Sequence, residues 1–200
     1  MKIRSVEYAG TVARLGQAAP GSLPEIAFSG RSNVGKSSLI NTLLRRTRNK
    51  IAHVSGEPGK TRALNFYRVN DRFFLVDLPG YGYARVPKNM RDAWGELIEW
   101  YLGQSADLRG IVHLVDARRE PTARDLEMVE YLANLGVPAL FVLTKMDKLG
   151  KRRRQEAVQR ASDLLGLDEE QILPFSSKTG EGREALLEAL EGLLDEERAR

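Results

Sequence analysis

The stretch Gly30-Arg31-Ser32-Asn33-Val34-Gly35-Lys36-Ser37 limits what this chain can fold into more than any other part of it. It has the form G-x-x-x-x-G-K-S, follows the apolar run EIAFS, and opens onto a helical pattern that begins at Ser38-Leu39-Ile40. That context is what the pattern needs: the glycines let the backbone curl, and the helix behind them points its N–H groups and its dipole into the curl. Such a loop cradles the phosphates of a nucleotide, with Lys36 reaching the β and γ phosphates and the Ser37 hydroxyl binding Mg²⁺. Gly30, Arg31, Ser32, Asn33, Val34, Gly35 and Ser38 are expected along the same phosphate chain. Chance produces the string in roughly one chain in a hundred of this length.

A strand feeding a loop and then a helix predicts an α/β domain, and the rest of the chain agrees. Apolar runs bounded by turn residues place strands near 25–29, 64–69, 73–77, 111–116, 139–143 and 172–175. Amphipathic stretches place helices near 36–46, 88–103, 122–135, 151–165 and 182–197. Val69-Asn70-Asp71-Arg72 reads as a hairpin turn, which makes one strand antiparallel. The expected fold is a three-layer α/β domain: a mostly parallel six-stranded sheet with one antiparallel strand and helices on both faces. Residues 1–23 read as a lead-in and 24–200 as one domain, since 200 residues at 42% hydrophobic content suit a single core. Leu186, Leu187, Leu190, Leu193 and Leu194 fall on one helical face and belong to that core. Trp94 and Trp100 are expected to be partly buried on the second helix.

Composition removes several kinds of chemistry. With no cysteine there is no disulfide framework, thiolate zinc site or thiol nucleophile. The start MKIRSVEYAG lacks the apolar core of a signal peptide, and no run approaches about 20 apolar residues, so a cytoplasmic monomer without membrane contact is expected. The net charge of +4 is uneven: residues 181–200 carry seven acids and three bases, which leaves +8 on the rest. A basic body suits a polyanion such as RNA, with no call for DNA, and equally suits a solvated surface. The same two readings hold for Arg45, Arg46, Arg48 and Lys50 and for Lys151 to Arg154, the latter oddly placed because cations are disfavoured at a helix N-terminus. His53 and His113 have no ligand spacing to each other, and read as solvated and structural respectively.

Further motifs follow in order. Asp77-Leu78-Pro79-Gly80 ends an apolar strand, where Asp77 can hold a water of a magnesium shell and the Gly80 N–H can meet a γ-phosphate. Between this motif and the phosphate loop lies Pro58-Gly59-Lys60-Thr61, whose threonine is read as a third magnesium ligand. Thr144-Lys145-Met146-Asp147 follows the strand ALFVL at the edge where parallel sheets hold ligands. The Asp147 carboxylate can accept from guanine N1–H and its exocyclic amine, a pair adenine does not offer, which favours GTP. Lys145 would lay its stem across the purine. Phe175-Ser176-Ser177-Lys178 would give backbone contact to guanine O6.

These ordered motifs resemble those of the translation-factor class of P-loop GTPases. The longer strings PEIAFSGRSNVGKSSLIN, PGKTRALNFY and DLPGYGYA resemble the EngB (YihA/YsxC) family of bacterial GTPases, over about Pro24 to Lys178. That resemblance implies one GTPase domain that hydrolyses GTP to GDP with Mg²⁺, with Lys36, Thr61 and Gly80 at the reacting phosphate and Ser37, Thr61 and Asp77 around the metal. It also implies a role as a switch in assembling the large ribosomal subunit, through contact with ribosomal RNA or protein, and in cell division and septation. A GTP-gated interaction module for division proteins, with incidental hydrolysis, is the alternative.

Tyr81 stands where many GTPases place a water-holding glutamine, and a phenol lacks the carboxamide's paired donor and acceptor. Slow intrinsic turnover is expected, raised by a partner or by a monovalent cation. Asn33 matches the asparagine that potassium-activated GTPases similar to this chain use as a ligand, beside the bridging phosphate oxygen. GTP turnover is then expected to be faster in potassium than in sodium salts at equal ionic strength, and equal rates would remove the cation from the account.

Overall fold

The computed structural model describes residues 1–46, 49–52, 63–81 and 88–195, with nothing said of the side chains of 88–94. Seven strands and five helices follow in the order β1 (Val6–Val12), β2 (Glu25–Gly30), α1 (Lys36–Leu43), β3 (Leu64–Val69), β4 (Phe73–Asp77), α2 (Lys88–Gln104), β5 (Leu108–Asp116), α3 (Ala123–Leu135), β6 (Ala139–Thr144), α4 (Lys151–Leu165), β7 (Ile172–Pro174) and α5 (Arg183–Asp195). They form one sheet of spatial order β1-β3-β4-β2-β5-β6-β7. Only β3 runs against its neighbours, antiparallel to both β1 and β4, and the other pairings inside the sheet are parallel. The expected α/β class and single antiparallel strand are thus present, but the sheet has seven strands rather than six. The extra one is β1, inside the stretch read as a lead-in. Only Val12 of its seven residues is buried, so the alternation that marks a half-buried strand is missing, and a bulge between Tyr8 and Gly10 breaks its register with β3.

Alternation along the central strands divides the core between two faces. Ile26 and Phe28 of β2 pack with Leu39, Ile40 and Leu43 of α1 and with Leu186, Leu187 and Leu190 of α5. Ala27, between them, packs on the other face with Leu97, Ile98, Tyr101 and Leu102 of α2 and Leu132 of α3. The Trp100 side chain joins this second cluster partly buried, as expected, while Trp94 lies outside the described side chains. Ala157, Ala161 and Leu165 of α4 extend the same face against Phe141 and Leu143. Among the described residues no helix is long and apolar enough to cross a membrane.

Helix α1 stops at Leu43, short of the expected 46, for a reason that is tertiary. Arg45 takes a left-handed conformation at φ 54°, and the Arg183 guanidinium donates to the last carbonyls, Thr42 O at 3.1 Å and Leu43 O at 2.8 Å. A cation on a helix C-terminus satisfies orphan carbonyls and complements the dipole. Arg183 is placed to do so by Gly182, whose φ of 79° and contact with the Pro174 carbonyl leave no room for any side chain. The start of α5 therefore fixes the end of α1 and the loop after β7 together.

Candidate active site

Strand β2 is buried along its whole length and delivers the chain into the phosphate loop at Gly30. With φ at 150°, a Cβ on Gly30 would lie 2.9 Å from the Leu114 carbonyl oxygen and 3.1 Å from the Val34 side chain, so the tight turn requires glycine. Helix α1 begins at Lys36 with no side-chain cap, which leaves its first N–H groups for an anion. Two side chains at the end of β6, two strands away, brace the loop: Thr144 Oγ1 donates to Val34 O at 2.7 Å, and Lys145 Nζ donates to Asn33 O at 2.7 Å.

Inside this frame Lys36 and Asp77, both buried, form an ion pair. Asp77 ends β4 beside β2, and the Ser37 hydroxyl sits half-buried one residue past the lysine. A carboxylate and a hydroxyl are hard oxygen donors that suit Mg²⁺, which keeps several waters and takes phosphate oxygens as ligands. Among the described residues no group of three acids or histidines is placed to hold a metal ion. Leu78 and Pro79 are buried, and Gly80 lies against the phosphate loop, its carbonyl accepting from Ser32 Oγ at 3.1 Å. Gly59, Lys60 and Thr61 fall outside the described residues.

The base side is built from β6 and β7. Lys145 takes a left-handed conformation at φ 63° and opens a 3₁₀ turn, Met146–Lys148, that carries Asp147. Asp147 Oδ1 accepts from Ser176 Oγ at 2.9 Å, which sets the plane of the carboxylate, and the Lys148 ammonium lies 3.8 Å from Oδ2. Lys178 is exposed, and the Ser177 carbonyl accepts from Thr42 Oγ1 at 3.2 Å. Three of the expected nucleotide residues point inward: Met146 and Phe175 are buried in the core, and the Thr144 hydroxyl is spent on backbone carbonyls. These three hold the loops from behind.

Two groups escape reading from sequence. Asp116, at the end of β5, accepts from Lys145 Nζ at 2.8 Å and from Arg118 Nε and Nη2 at 2.9 and 2.8 Å. Burial would raise its carboxyl, but these bonds outweigh it and bring the pKa to about 2. A cavity of about 240 Å³ opens here between the phosphate loop, Asp116 and Arg118. The second group lies under Tyr81, whose hydroxyl donates to Asp125 Oδ1 at 2.5 Å and whose ring stacks on His113. Burial would raise the Asp125 carboxyl as well, yet bonds from His113, Thr122 and Tyr81 hold it well below the usual range. One signal was legible: Thr122-Ala-Arg-Asp125 has the T-x-x-D form of a capping box, and it closes one at the start of α3.

A larger open groove of about 950 Å³ along α4 lies away from the phosphate loop and holds none of its residues. Of the basic run there, Arg154 is committed to Met146 O at 3.1 Å and to the Glu181 carboxylate, while Lys151, Arg152 and Arg153 are exposed.

Comparison with known proteins gives the family and the fold. The profile of a family described as 50S ribosome-binding GTPase matches residues 25–145, and that of the elongation factor Tu GTP binding domain matches residues 98–196. The probable GTP-binding protein EngB of Gemmatimonas aurantiaca is 50% identical over 195 residues, covering 97% of this chain and 95% of that one. Its counterpart in Halothermothrix orenii is 49% identical over 86% of each chain. Among solved structures, a crystal structure of a probable GTP-binding protein engB superposes with a TM-score of 0.71 at 25% identity, covering 86% of this chain and all of that one. Aquifex aeolicus Era Y63A bound to GDP·AlF4⁻ gives a TM-score of 0.70 at 24% identity over 89% of this chain and 59% of Era, a likeness of fold. With the phosphate loop, the Lys36–Asp77 pair and the Asp147 carboxylate ranged along one sheet edge, the chain belongs to the EngB family of GTP-binding proteins, P-loop enzymes that hydrolyse GTP.

Proposed function

We propose that this GTPase is Mg²⁺-dependent, turns over slowly on its own, and acts as a switch during assembly of the large ribosomal subunit, on which normal division and septation depend. The observation that carries the ribosomal part is the match of residues 25–145 to a family described as 50S ribosome-binding. The basic charge outside residues 181–200 supports a polyanionic partner.

In the proposed cycle Lys36 leaves Asp77 for the β and γ phosphates as nucleotide enters, which frees the carboxylate. Ser37 and Asp77, with Thr61, would then hold Mg²⁺, which supplies neutralisation of charge on the phosphate oxygens. Gly80 offers its N–H to the γ-phosphate. Asp147, oriented by Ser176, accepts from the guanine edge, and Lys145 covers the ring. Slow turnover follows from Tyr81: its hydroxyl is directed to Asp125 and His113, so no side chain at this position holds the attacking water.

The test is sedimentation of the purified protein with ribosomal particles in a non-hydrolysable GTP analogue or in GDP. Co-sedimentation with large-subunit precursors is expected in the analogue and should fall at least several-fold in GDP. Binding confined to a division protein, with no ribosomal association in either state, would overturn the assembly role in favour of a GTP-gated interaction module.

A further inference from the structure

The group under Tyr81 forms a directed chain of hydrogen bonds. Asp125 can only accept when ionised, so the Tyr81 hydroxyl donates to its Oδ1 at 2.5 Å. The phenol oxygen then accepts from His113 Nε2 at 3.1 Å, and His113 Nδ1 is hydrogen-bonded to Ser29 Oγ at 2.8 Å. Every polar atom in the line is thus paired, with a proton of His113 on Nε2. His113 is fully buried, Asp125 is 2% exposed, and the tyrosine and imidazole rings stack with an interplanar angle of 12°. The other carboxylate oxygen of Asp125 is held by Thr122 N at 2.7 Å and Thr122 Oγ1 at 2.6 Å, which ties the chain to the first turn of α3.

The backbone of the same tyrosine reaches the opposite way. Its carbonyl accepts from Ser32 N at 2.9 Å, and residues Arg31 and Tyr81 form an isolated parallel bridge. The preceding carbonyl, that of Gly80, accepts from Ser32 Oγ. One residue therefore joins a buried polar group beneath the sheet edge to the phosphate loop above it. Withdrawing the side chain would take a donor from the Asp125 carboxylate and leave His113 Nε2 with its longer contact to Asp125 Oδ1 at 3.5 Å.

We infer that His113 and Asp125 are positioning residues for GTP hydrolysis, acting through Tyr81: by anchoring its side chain they hold Gly80 against the phosphate loop, where its N–H meets the γ-phosphate. The assignment rests on the reading of Gly80 given above. It gives the tyrosine a function that a glutamine at this position does not have, namely a fixed backbone in place of a water-holding side chain. The contribution is specific to the γ-phosphate, because GDP makes no contact with Gly80.

The test uses the full chain with Tyr81→Phe, which deletes one oxygen, and Asp125→Asn, which keeps the side-chain size. Each variant is expected to lower kcat by about tenfold, the order of a lost bond to a buried charged group. Affinity for a fluorescent GTP analogue should fall several-fold while affinity for fluorescent GDP stays within about twofold, and the double variant should lose little more than either single one. A merely structural role would weaken both nucleotides alike. Unchanged kcat in both variants, or analogue affinity that rises relative to GDP, would overturn the assignment. If Asp125→Asn fails to fold, Tyr81→Phe decides alone. If the unmodified protein shows no GTP turnover, the hydrolysis reading falls, and the analogue-to-GDP ratio still decides whether Tyr81 anchors Gly80.

Discussion

Replacing Lys36 with alanine is expected to lower kcat/KM for GTP by about a thousandfold, the scale on which single charge-stabilising groups act in phosphoryl transfer. The lysine is buried at the head of α1 and paired with Asp77, whereas Arg31, the other cation of the loop, is only half-buried. A second effect follows from its pairing. With Lys36 gone, Asp77 is left as a buried carboxylate without its cation, and the nucleotide-free protein should lose roughly 3 kcal/mol of stability. Steady-state kinetics and urea unfolding of the two proteins measure both effects. A loss of less than tenfold in kcat/KM would remove Lys36 from the centre of the site.

Asp147→Asn should exchange the base preferred by the site. The carboxylate is fixed by Ser176 through Oδ1, so the amide variant can keep that bond with its oxygen and present its NH₂ where Oδ2 stood. An NH₂ facing the guanine amine places donor against donor, whereas xanthine offers a carbonyl there. GTP affinity is expected to fall by about a thousandfold or more, as for other sites that leave a buried polar group unpaired. Xanthosine triphosphate should become the preferred nucleotide, with competition against a fluorescent analogue as the measurement. GTP affinity within tenfold of the unmodified protein would show that Asp147 does not read the base.

What could be read in advance follows the range over which each feature is encoded. The phosphate loop and the TKMD stretch are contiguous and flanked by strongly apolar strands, so their place on the sheet edge was legible. Helix α1 ended three residues early because the group that ends it, Arg183, is distant in sequence and no local pattern announces it. The tie between Asp116 and Lys145 is likewise made across the sheet edge. His113 read as structural from its apolar strand, and it is buried, but its bond to Tyr81 joins β5 to the loop after β4, which only folding brings together. Strand β1 escaped because it lies at the edge of the sheet and buries almost nothing. Edge strands need no alternating pattern to hold their place.

That edge strand has a mechanical consequence. The hairpin of β3 and β4 follows the stretch carrying Thr61 in sequence and ends in Asp77, and a two-stranded ribbon at a sheet edge can slip lengthwise by a pair of residues while keeping every side chain on its own face. Here β3 is zipped to β1 from Val6 opposite Val69 to Val12 opposite Leu64, and β4 is zipped to β2. A two-residue ratchet would have to open both ladders together and drag the Tyr8–Gly10 bulge off its partner. The hairpin therefore serves as a fixed rail, and it holds Asp77 at a constant height on the sheet edge beside β2.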